Sequence, residues 1–346
     1  MKILIVKLTS MGDVLHLMPA LTDLVSHHPD AQIDWLVEDS FADIPSWHPA
    51  VNRVFKASTR RWRKFNSQAR SEFRAFKQVL RATEYDVVID AQGLIKSALI
   101  SRLAKLAKDG IRAGFSGQSI KESPAAWAYD KKVDVDRKLH AVTRLRLLFA
   151  GVFAYSNDFG SSVGADQALN YGLEVVGDNV DNSETIMLFH GTTWATKHLP
   201  DQYWRDLSDV IIDAGFKVKL CWGNETEHQR AQWIALDRPN ATVLPKSSLT
   251  TIAKELSTAK GAISVDTGLG HLAAALSVPN VSVYGATDAS LTGAVGQRQT
   301  HLSSSYACAP CMSKECRNLN AQVTSPPCYD EFPATKIWQS LELQFQ

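Results

Sequence analysis

Residues 261–276 read GAISVDTGLGHLAAAL, and this stretch restricts the fold more than any other. Gly261–Val265 is short, apolar and rich in β-formers, the pattern of a buried strand. His271–Leu276 continues in Ala and Leu with helical spacing. A strand that passes through Asp266-Thr-Gly into a helix is the repeating unit of a parallel α/β sheet. At such a junction the first-turn amides have no intrahelical partner, and the helix dipole adds about half a positive charge. The junction is therefore an anion site in waiting. Gly268 and Gly270 would let a phosphate approach the backbone with no Cβ in the way. Asp266 and Thr267 occupy N-cap-like positions, so an ordinary helix cap is the competing reading.

The rest of the chain repeats this grammar. Lys2–Leu8 (KILIVKL) is a strand of the kind buried on both faces of a parallel sheet. Thr9–Asp13 forms the loop after it, and Val14–Ser26 has helical spacing. Gln32–Val37 and Asp86–Asp90 are further strands, the latter followed by a helix running to about Leu106. Residues 155–185 turn polar and rich in Gly, Asp and Asn, which marks a domain boundary. A second alternating set follows: strands Thr185–Phe189, Phe216–Trp222, Gly261–Val265 and Asn280–Tyr284, a helix over Pro200–Ala214, and a closing helix over Pro333–Leu343. The expected fold class is α/β with two doubly wound domains. The expected division is 1–165, a linker over 166–184, a second domain over 185–332, and a terminal helix over 333–346.

Composition narrows the class. A chain of 346 residues with 45% hydrophobic and 21% charged residues suits two soluble domains. Its net charge of +1 says nothing about partners. The first residues lack the apolar core of a signal peptide, and no apolar run reaches the roughly 18–20 residues that span a bilayer. A cytoplasmic protein is expected, with membrane-surface contact left open. Cys308, Cys311, Cys316 and Cys328 cluster near the end. Four thiolates could bind structural zinc, and buried reduced thiols are the alternative; a disulfide framework does not fit a cytoplasmic chain.

Asp13 lies just after the first strand, at the sheet edge where such folds bind ligands. It could act as a general base or cap a helix starting at Val14. Residues 53–81 hold ten basic side chains against one acid, Glu72. Arg60, Arg61, Arg63 and Lys64 form its densest part, suited to carboxylate or phosphate. Downstream, Phe73, Phe76 and Leu80 share a face with basic neighbours, as in an interfacial helix on an anionic membrane. Nucleic-acid binding and a merely solvated basic face are the other readings. In the second half Lys197 could neutralise a phosphate and Glu227 could accept from ribose hydroxyls. The absence of G-x-G-x-x-G after the first strand and of a P-loop signature counts against dehydrogenases and P-loop NTPases.

These segments together resemble the heptosyltransferases of glycosyltransferase family 9. The resemblance spans nearly the whole chain: KILIVKLTSMGDVLHLMPAL, SWHPAV at 46–51, RRWRK at 60–64, DAQGLIKSA at 90–98, HGTT to KHLP at 190–200, LPKSSL at 244–249, and SVDTGLGHLAAAL. It implies a GT-B fold, two Rossmann-like domains facing across a cleft. It implies an inverting transfer of L-glycero-D-manno-heptose from ADP-heptose to Kdo of Kdo2-lipid A, or to the acceptor of a sibling enzyme. Asp13 becomes the catalytic base, and Lys197 steadies the leaving diphosphate. Thr192, Thr193, Lys197, Glu227, Asp266, Thr267, Gly268 and His271 fall on the donor side. Thr9, Ser10, Gly12, Arg60, Arg61, Arg63, Lys64, Gln92 and Lys96 fall on the acceptor side. No metal or other cofactor is implied, since no DXD-type acidic pair is placed to hold one. The expected protein is a monomer, peripheral on the inner leaflet of the cytoplasmic membrane, without nucleic acid. Thr9 stands where the family pattern has Ser but keeps the hydroxyl, and the cysteine tail matches other members of the wider family. A non-catalytic nucleotide-binding module and a nucleic-acid-binding protein are the alternatives from other classes.

Overall fold

The computed structural model describes residues 1–156, 169–175, 183–320, 323 and 325–345. The described residues fall into two compact units, the first made of residues 1–156 and Asn170–Glu174, the second of Leu169, Val175 and the described residues from 183 onward.

The first unit holds strands β1 (Lys2–Val6), β2 (Gln32–Glu38), β3 (Val51–Ala57), β4 (Glu84–Asp90), β5 (Lys105–Phe115) and β6 (Lys131–Val133). They form one parallel sheet in the order β3-β2-β1-β4-β5-β6. Its helices are α1 (Met11–Leu15), α2 (Met18–His27), α3 (Asp43–Ser46), α4 (Thr59–Trp62), α5 (Ser67–Leu80), α6 (Ile95–Ser101) and α7 (Ala141–Phe153). Ile3, Leu4, Ile5 and Val6 are wholly buried, as a central strand covered on both faces requires. One layer of core joins Leu4, Val6 and Leu8 to Phe55, Leu80 and Ile100.

The second unit holds β7 (Thr185–Phe189), β8 (Lys217–Leu220), β9 (Ala241–Val243), β10 (Gly261–Val265), β11 (Asn280–Tyr284) and β12 (Gln299–Ser303). Its order is β12-β11-β10-β7-β8-β9, again all parallel. Counted from β7, this is the same 3-2-1-4-5-6 order as in the first sheet. Its helices are α8 (Asp201–Asp213), α9 (Glu225–Ala235), α10 (Leu249–Ser257), α11 (Gly268–Ala275), α12 (Ala289–Thr292) and α13 (Ala334–Glu342). The terminal helix is no separate appendage: Ile337, Trp338 and Leu341 of α13 are buried with Trp204, Leu207 and Ile211 of α8 in one core.

Where the sequence reading departs from the structure, local chemistry or pairing explains it. The helix expected over Val14–Ser26 is two helices, α1 and α2, broken at His16–Leu17. Pro19 supplies no N–H for the Leu15 carbonyl, and its ring crowds that carbonyl, so one continuous helix is excluded. The helix expected to reach Leu106 stops at Ser101, because Lys105 and Leu106 pair with Glu84 and Tyr85 in β5. The strand expected over Phe216–Trp222 is shorter, Lys217–Leu220. Of the linker expected over 166–184, Asn170–Glu174 packs with the first unit, the Glu174 amide donating to the Trp47 carbonyl at 2.8 Å; residues 166–168 and 176–182 lie outside the described residues. No helix among the described residues is long and apolar enough to cross a membrane.

His48, in the SWHPAV segment, is buried beside this returning segment. Its Nδ1 accepts from the Ala50 amide at 3.2 Å, so the neutral ring carries its proton on Nε2, 3.1 Å from Thr22 Oγ1. Burial pushes its pKa from 6.5 down to about 4. The unfolded chain therefore takes up the proton first as pH falls. The stability that neutral His48 contributes is complete above pH 6.5 and is lost between 6.5 and about 4, at about 1.4 kcal/mol per pH unit. Urea unfolding across this range should show that loss, and His48→Asn, which keeps an acceptor for Ala50, should flatten it.

Candidate active site

In both sheets the strand order reverses between two central strands, β1 and β4 in the first and β7 and β10 in the second. The loops leaving these strands diverge and open a crevice at the carboxyl ends, the place where doubly wound sheets bind ligands. Thr9, Ser10, Gly12, Asp13, Gln92, Lys96, Thr192, Thr193, Lys197, Asp266, Thr267, Gly268 and His271 follow these four strands, whereas Arg60–Lys64 follow the edge strand β3 and Glu227 follows β8.

In the first unit, Gln92 ties the two loops together. Its Oε1 accepts from the amides of Leu8, at 3.0 Å, and Thr9, at 3.1 Å. Gln92 is held in turn by Asp90, whose Oδ1 accepts from the amides of Gln92 and Gly93, while Tyr129 donates to Oδ2 at 2.7 Å. Gly93 turns this loop with φ +70°, a conformation that costs an L side chain. Asp90 is wholly buried, and burial pushes its pKa up against these hydrogen bonds. Lys7 is buried on the same edge, its Nζ donating to the Ala91 carbonyl at 3.0 Å and lying 4.0 Å from Asp13 Oδ1. Burial pushes the Lys7 pKa down, and Asp13 and Asp90 oppose that shift.

Asp13 is the third residue of α1, not a residue ahead of a helix at Val14. Its Oδ2 accepts from the Ser10 amide at 2.7 Å and the Ser10 hydroxyl at 2.9 Å. It thus caps, by the reciprocal geometry of a capping box. A carboxylate has about four acceptor positions, so Oδ1 remains available on a side chain that is 42% exposed. Capping and proton acceptance are compatible in this one residue. Thr9, Ser10, Gly12, Asp13 and Gln92 form a single cluster.

The basic residues gather beside it. Thr59 at the start of α4 donates to Glu38 Oε2 at 2.7 Å, and Lys96 Nζ lies 3.3 Å from Thr59 Oγ1. Burial pushes the Lys96 pKa down, Glu38 opposes this, and Arg63 and Arg60 lower it further. Lys96 thus feels two neighbouring guanidiniums, Arg60 and Arg63, against one carboxylate, an excess of positive charge that suits an added anion. Arg61 differs: it pairs with Glu72 at 3.3 Å and Asp39 at 3.4 Å, which keeps it on the protein's own acids. Lys64 is exposed.

In the second unit, α11 begins at Gly268 with Thr267 as N-cap residue, and the Thr267 side chain makes no cap hydrogen bond. Asp266 does not cap either. Its Oδ2 is 2.6 Å from Lys197 Nζ and accepts from Thr287 at 2.6 Å. The first-turn amides of α11 are thus left without a side-chain cap by both residues expected to supply one. Thr192 crosses the crevice, donating to the Asp266 carbonyl at 2.8 Å. Lys197 lies over the Trp194 ring at 4.6 Å, and with three donors it retains two beyond Asp266. Glu227, in the first turn of α9, accepts from the Gly223 amide at 2.8 Å, and its carboxylate packs against Gly191 of the His190–Thr193 loop. His190, at the end of β7, is fully buried; burial, with Arg230 nearby, pushes its pKa down to about 4. His271 is buried within α11. Gly270 has a packing purpose that its motif does not show: a Cβ there would lie 2.6 Å from Ser264 Oγ, so glycine lets α11 pack on β10.

Sequence reasoning missed Lys7, Glu38, Thr59 and Thr287. Lys7 follows β1 at the reversal, Glu38 ends β2, Thr59 follows the edge strand β3 and Thr287 follows β11; a place at or just beyond the carboxyl end of a strand is their only signal. The four clustered cysteines line one small pocket. All are free; Cys328 is buried, Cys316 half-buried, and Cys308 and Cys311 exposed, so the buried-thiol reading holds for Cys328 alone. Among the described residues no group of three or more His, Cys, Asp or Glu side chains is arranged to hold a metal ion.

The second-unit cluster makes a direct prediction. Lys197→Met removes a charge-assisted donor, typically about 1.5–3 kcal/mol, so titration calorimetry with inorganic pyrophosphate as the anion probe should show affinity reduced at least about tenfold. Unchanged affinity would place the anion elsewhere.

Comparison with known proteins agrees with this geometry. The model of glycosyltransferase family 9 (heptosyltransferase) matches residues 73–322. The lipopolysaccharide heptosyltransferase 1 of Pseudomonas aeruginosa is 45% identical over 320 residues, 91% of this chain and 87% of that protein. The structure of Escherichia coli heptosyltransferase WaaC with ADP matches with a TM-score of 0.85 and 38% identity, covering 99% of this chain and all of that one. The same enzyme with ADP-2-deoxy-2-fluoro heptose matches with a TM-score of 0.82 over 99% of both chains. The two parallel sheets are those of GT-B heptosyltransferases, and the nucleic-acid and non-catalytic readings lose their ground. From its strand-end loops to its full-length likeness, the chain belongs to glycosyltransferase family 9, the heptosyltransferases.

Proposed function

We propose that the chain transfers L-glycero-D-manno-heptose from ADP-heptose to a Kdo hydroxyl of Kdo2-lipid A, with inversion at the anomeric carbon. The observation that carries the mechanism is Asp13: a carboxylate fixed through one oxygen by Ser10, with the other oxygen available at the strand-order reversal. The relatives' names and the ADP-heptose analogue held by the E. coli enzyme support the choice of donor and acceptor.

In this reading Asp13 takes the proton from the acceptor hydroxyl as its oxygen bonds to the anomeric carbon. The bond to the diphosphate breaks on the opposite face. One displacement with a base and no enzyme nucleophile inverts the configuration, by the logic of inverting glycoside hydrolysis. The departing diphosphate gains negative charge. Lys197 and the amides at Thr267–Gly268 answer it from fixed positions, with Glu227 toward the ribose. These groups take up the charge without calling on a metal ion. Arg60, Arg63, Lys64 and Lys96 suit an acceptor bearing Kdo carboxylates and lipid A phosphates. The enzyme works in the cytoplasm, at the inner leaflet where such an acceptor lies.

The deciding experiment is transfer from ADP-heptose to Kdo2-lipid A in EDTA. Wild type should transfer, whereas Asp13→Ala should lose about 10²–10⁴-fold in kcat and still bind ADP-heptose. Equal loss of turnover and donor binding would reduce Asp13 to a helix cap. On the acceptor side, Arg63→Ala and Lys96→Ala should raise the KM for Kdo2-lipid A and leave ADP-heptose binding intact. Unchanged acceptor kinetics in both would move the acceptor off this cluster.

A further inference from the structure

The apolar face expected on α5 is largely packed on its own neighbours, with only Phe73 of that face reaching the wall of an open groove. Leu80 is fully buried, and Phe73 and Phe76 pack on Trp62 with ring centroids 5.2 and 4.8 Å apart. The exposed apolar surface lies next to it. Between the α4–α5 connection and α6 runs a groove of about 710 Å³, walled by Trp62, Phe65, Phe73, Ile95, Leu99 and Leu103. Phe65 is 75% exposed, Leu99 53% and Ile95 41%. Phe65 also has φ +51°, a left-handed conformation uncommon for a bulky residue. A large aromatic ring is thus held out in water by an unfavourable backbone, with little contact to repay it inside the protein.

The charge around the groove says what covers it. Arg63, Arg70 and Lys96 line its edge, and Arg60, Lys64, Arg74 and Lys77 are exposed on the flanking segments. The one acid of this stretch, Glu72, is engaged by Arg61. An apolar trough with guanidinium and ammonium groups directly at its lip matches one chemistry well: acyl chains with anionic headgroups attached. An aromatic and two aliphatic side chains entering the acyl boundary, with cations at headgroup level, is the pattern of an interfacial anchor.

We propose that this groove and its basic rim, and not the face of α5, seat the protein on an anionic lipid bilayer, with Phe65 and Leu99 entering it. The proposal rests on the reading above that the acceptor is a membrane lipid, and it names the surface that meets the membrane.

The test uses the full chain, co-sedimented with phosphatidylcholine vesicles made with and without phosphatidylglycerol. Phe65→Asn and Leu99→Gln are combined in one variant; Asn tolerates the left-handed conformation at 65, so folding is spared. Transfer to deacylated, soluble Kdo2-lipid A without vesicles is measured in parallel. Wild type should bind the anionic vesicles, release from them in high salt, and bind zwitterionic ones weakly. The double variant should bind anionic vesicles at least about tenfold less, with kcat/KM on the soluble acceptor unchanged. Equal binding of wild type to both vesicle types, or undiminished binding by the double variant, overturns the proposal. So does a wild-type dimer that the double variant converts to monomer, which would assign the face to a second copy. Vesicle binding without transfer to the soluble acceptor would support this face and count against the reaction proposed above.

Discussion

In each unit side chains span the gap where strand order reverses, Gln92 and Lys7 in the first and Thr192 and Lys197 in the second. Gln92 accepts from the two amides that follow β1, and Thr192 donates to the carbonyl that follows β10. A reversal point is weak by construction, because the two chains leaving it run to opposite faces of the sheet and share no ladder. These cross-ties hold the diverging loops at fixed separation while their remaining amides and side chains stay open to a ligand. Asp13, Ser10 and the start of α11 all depend on them for position. Preorganisation of this kind is what makes a charged group effective at the moment a bond breaks.

Buried charge reinforces the same edge. Lys7 and Asp90 are both removed from water beneath the first crevice, and each would be costly alone. Lys7 is satisfied by a carbonyl and by Asp13, and Asp90 by two amides and a phenol. In the second unit Asp266 plays the matching part, held between Lys197 and Thr287. Each crevice thus has a satisfied carboxylate at a strand end, Asp90 held by amides of its own loop and by Tyr129, Asp266 by side chains of the two neighbouring loops.

Much of this was legible in the sequence, and the reasons for the rest are physical. Strands β1, β4, β7, β10 and β11 are buried on both faces and read as apolar runs. β3, β5 and β12 lie toward the edges, carry exposed polar residues, and are strands only because a neighbour pairs with them. The sequence showed Asp13, Lys197 and Asp266 as chemistry-bearing residues at strand ends. It could not show that Asp266 is spoken for by Lys197 and Thr287, or that Gly270 serves helix packing, since both facts depend on contacts far along the chain. The basic stretch was visible as composition, but the packing of the apolar face of α5 on its neighbours and the outward turn of Phe65 are matters of tertiary structure.

Repetition of one strand order has a consequence for how such a chain tolerates change. Under the proposed function, the groups that meet the substrates are carried by loop ends at the two reversals, by Glu227 after β8 and by the basic segment after β3. The outer strands and most helix surfaces serve only to keep those ends in place. Substitution across most of the 346 residues can therefore proceed under packing constraints alone. Information about the reaction is concentrated in a small part of the text, and the scaffold around it is free to drift.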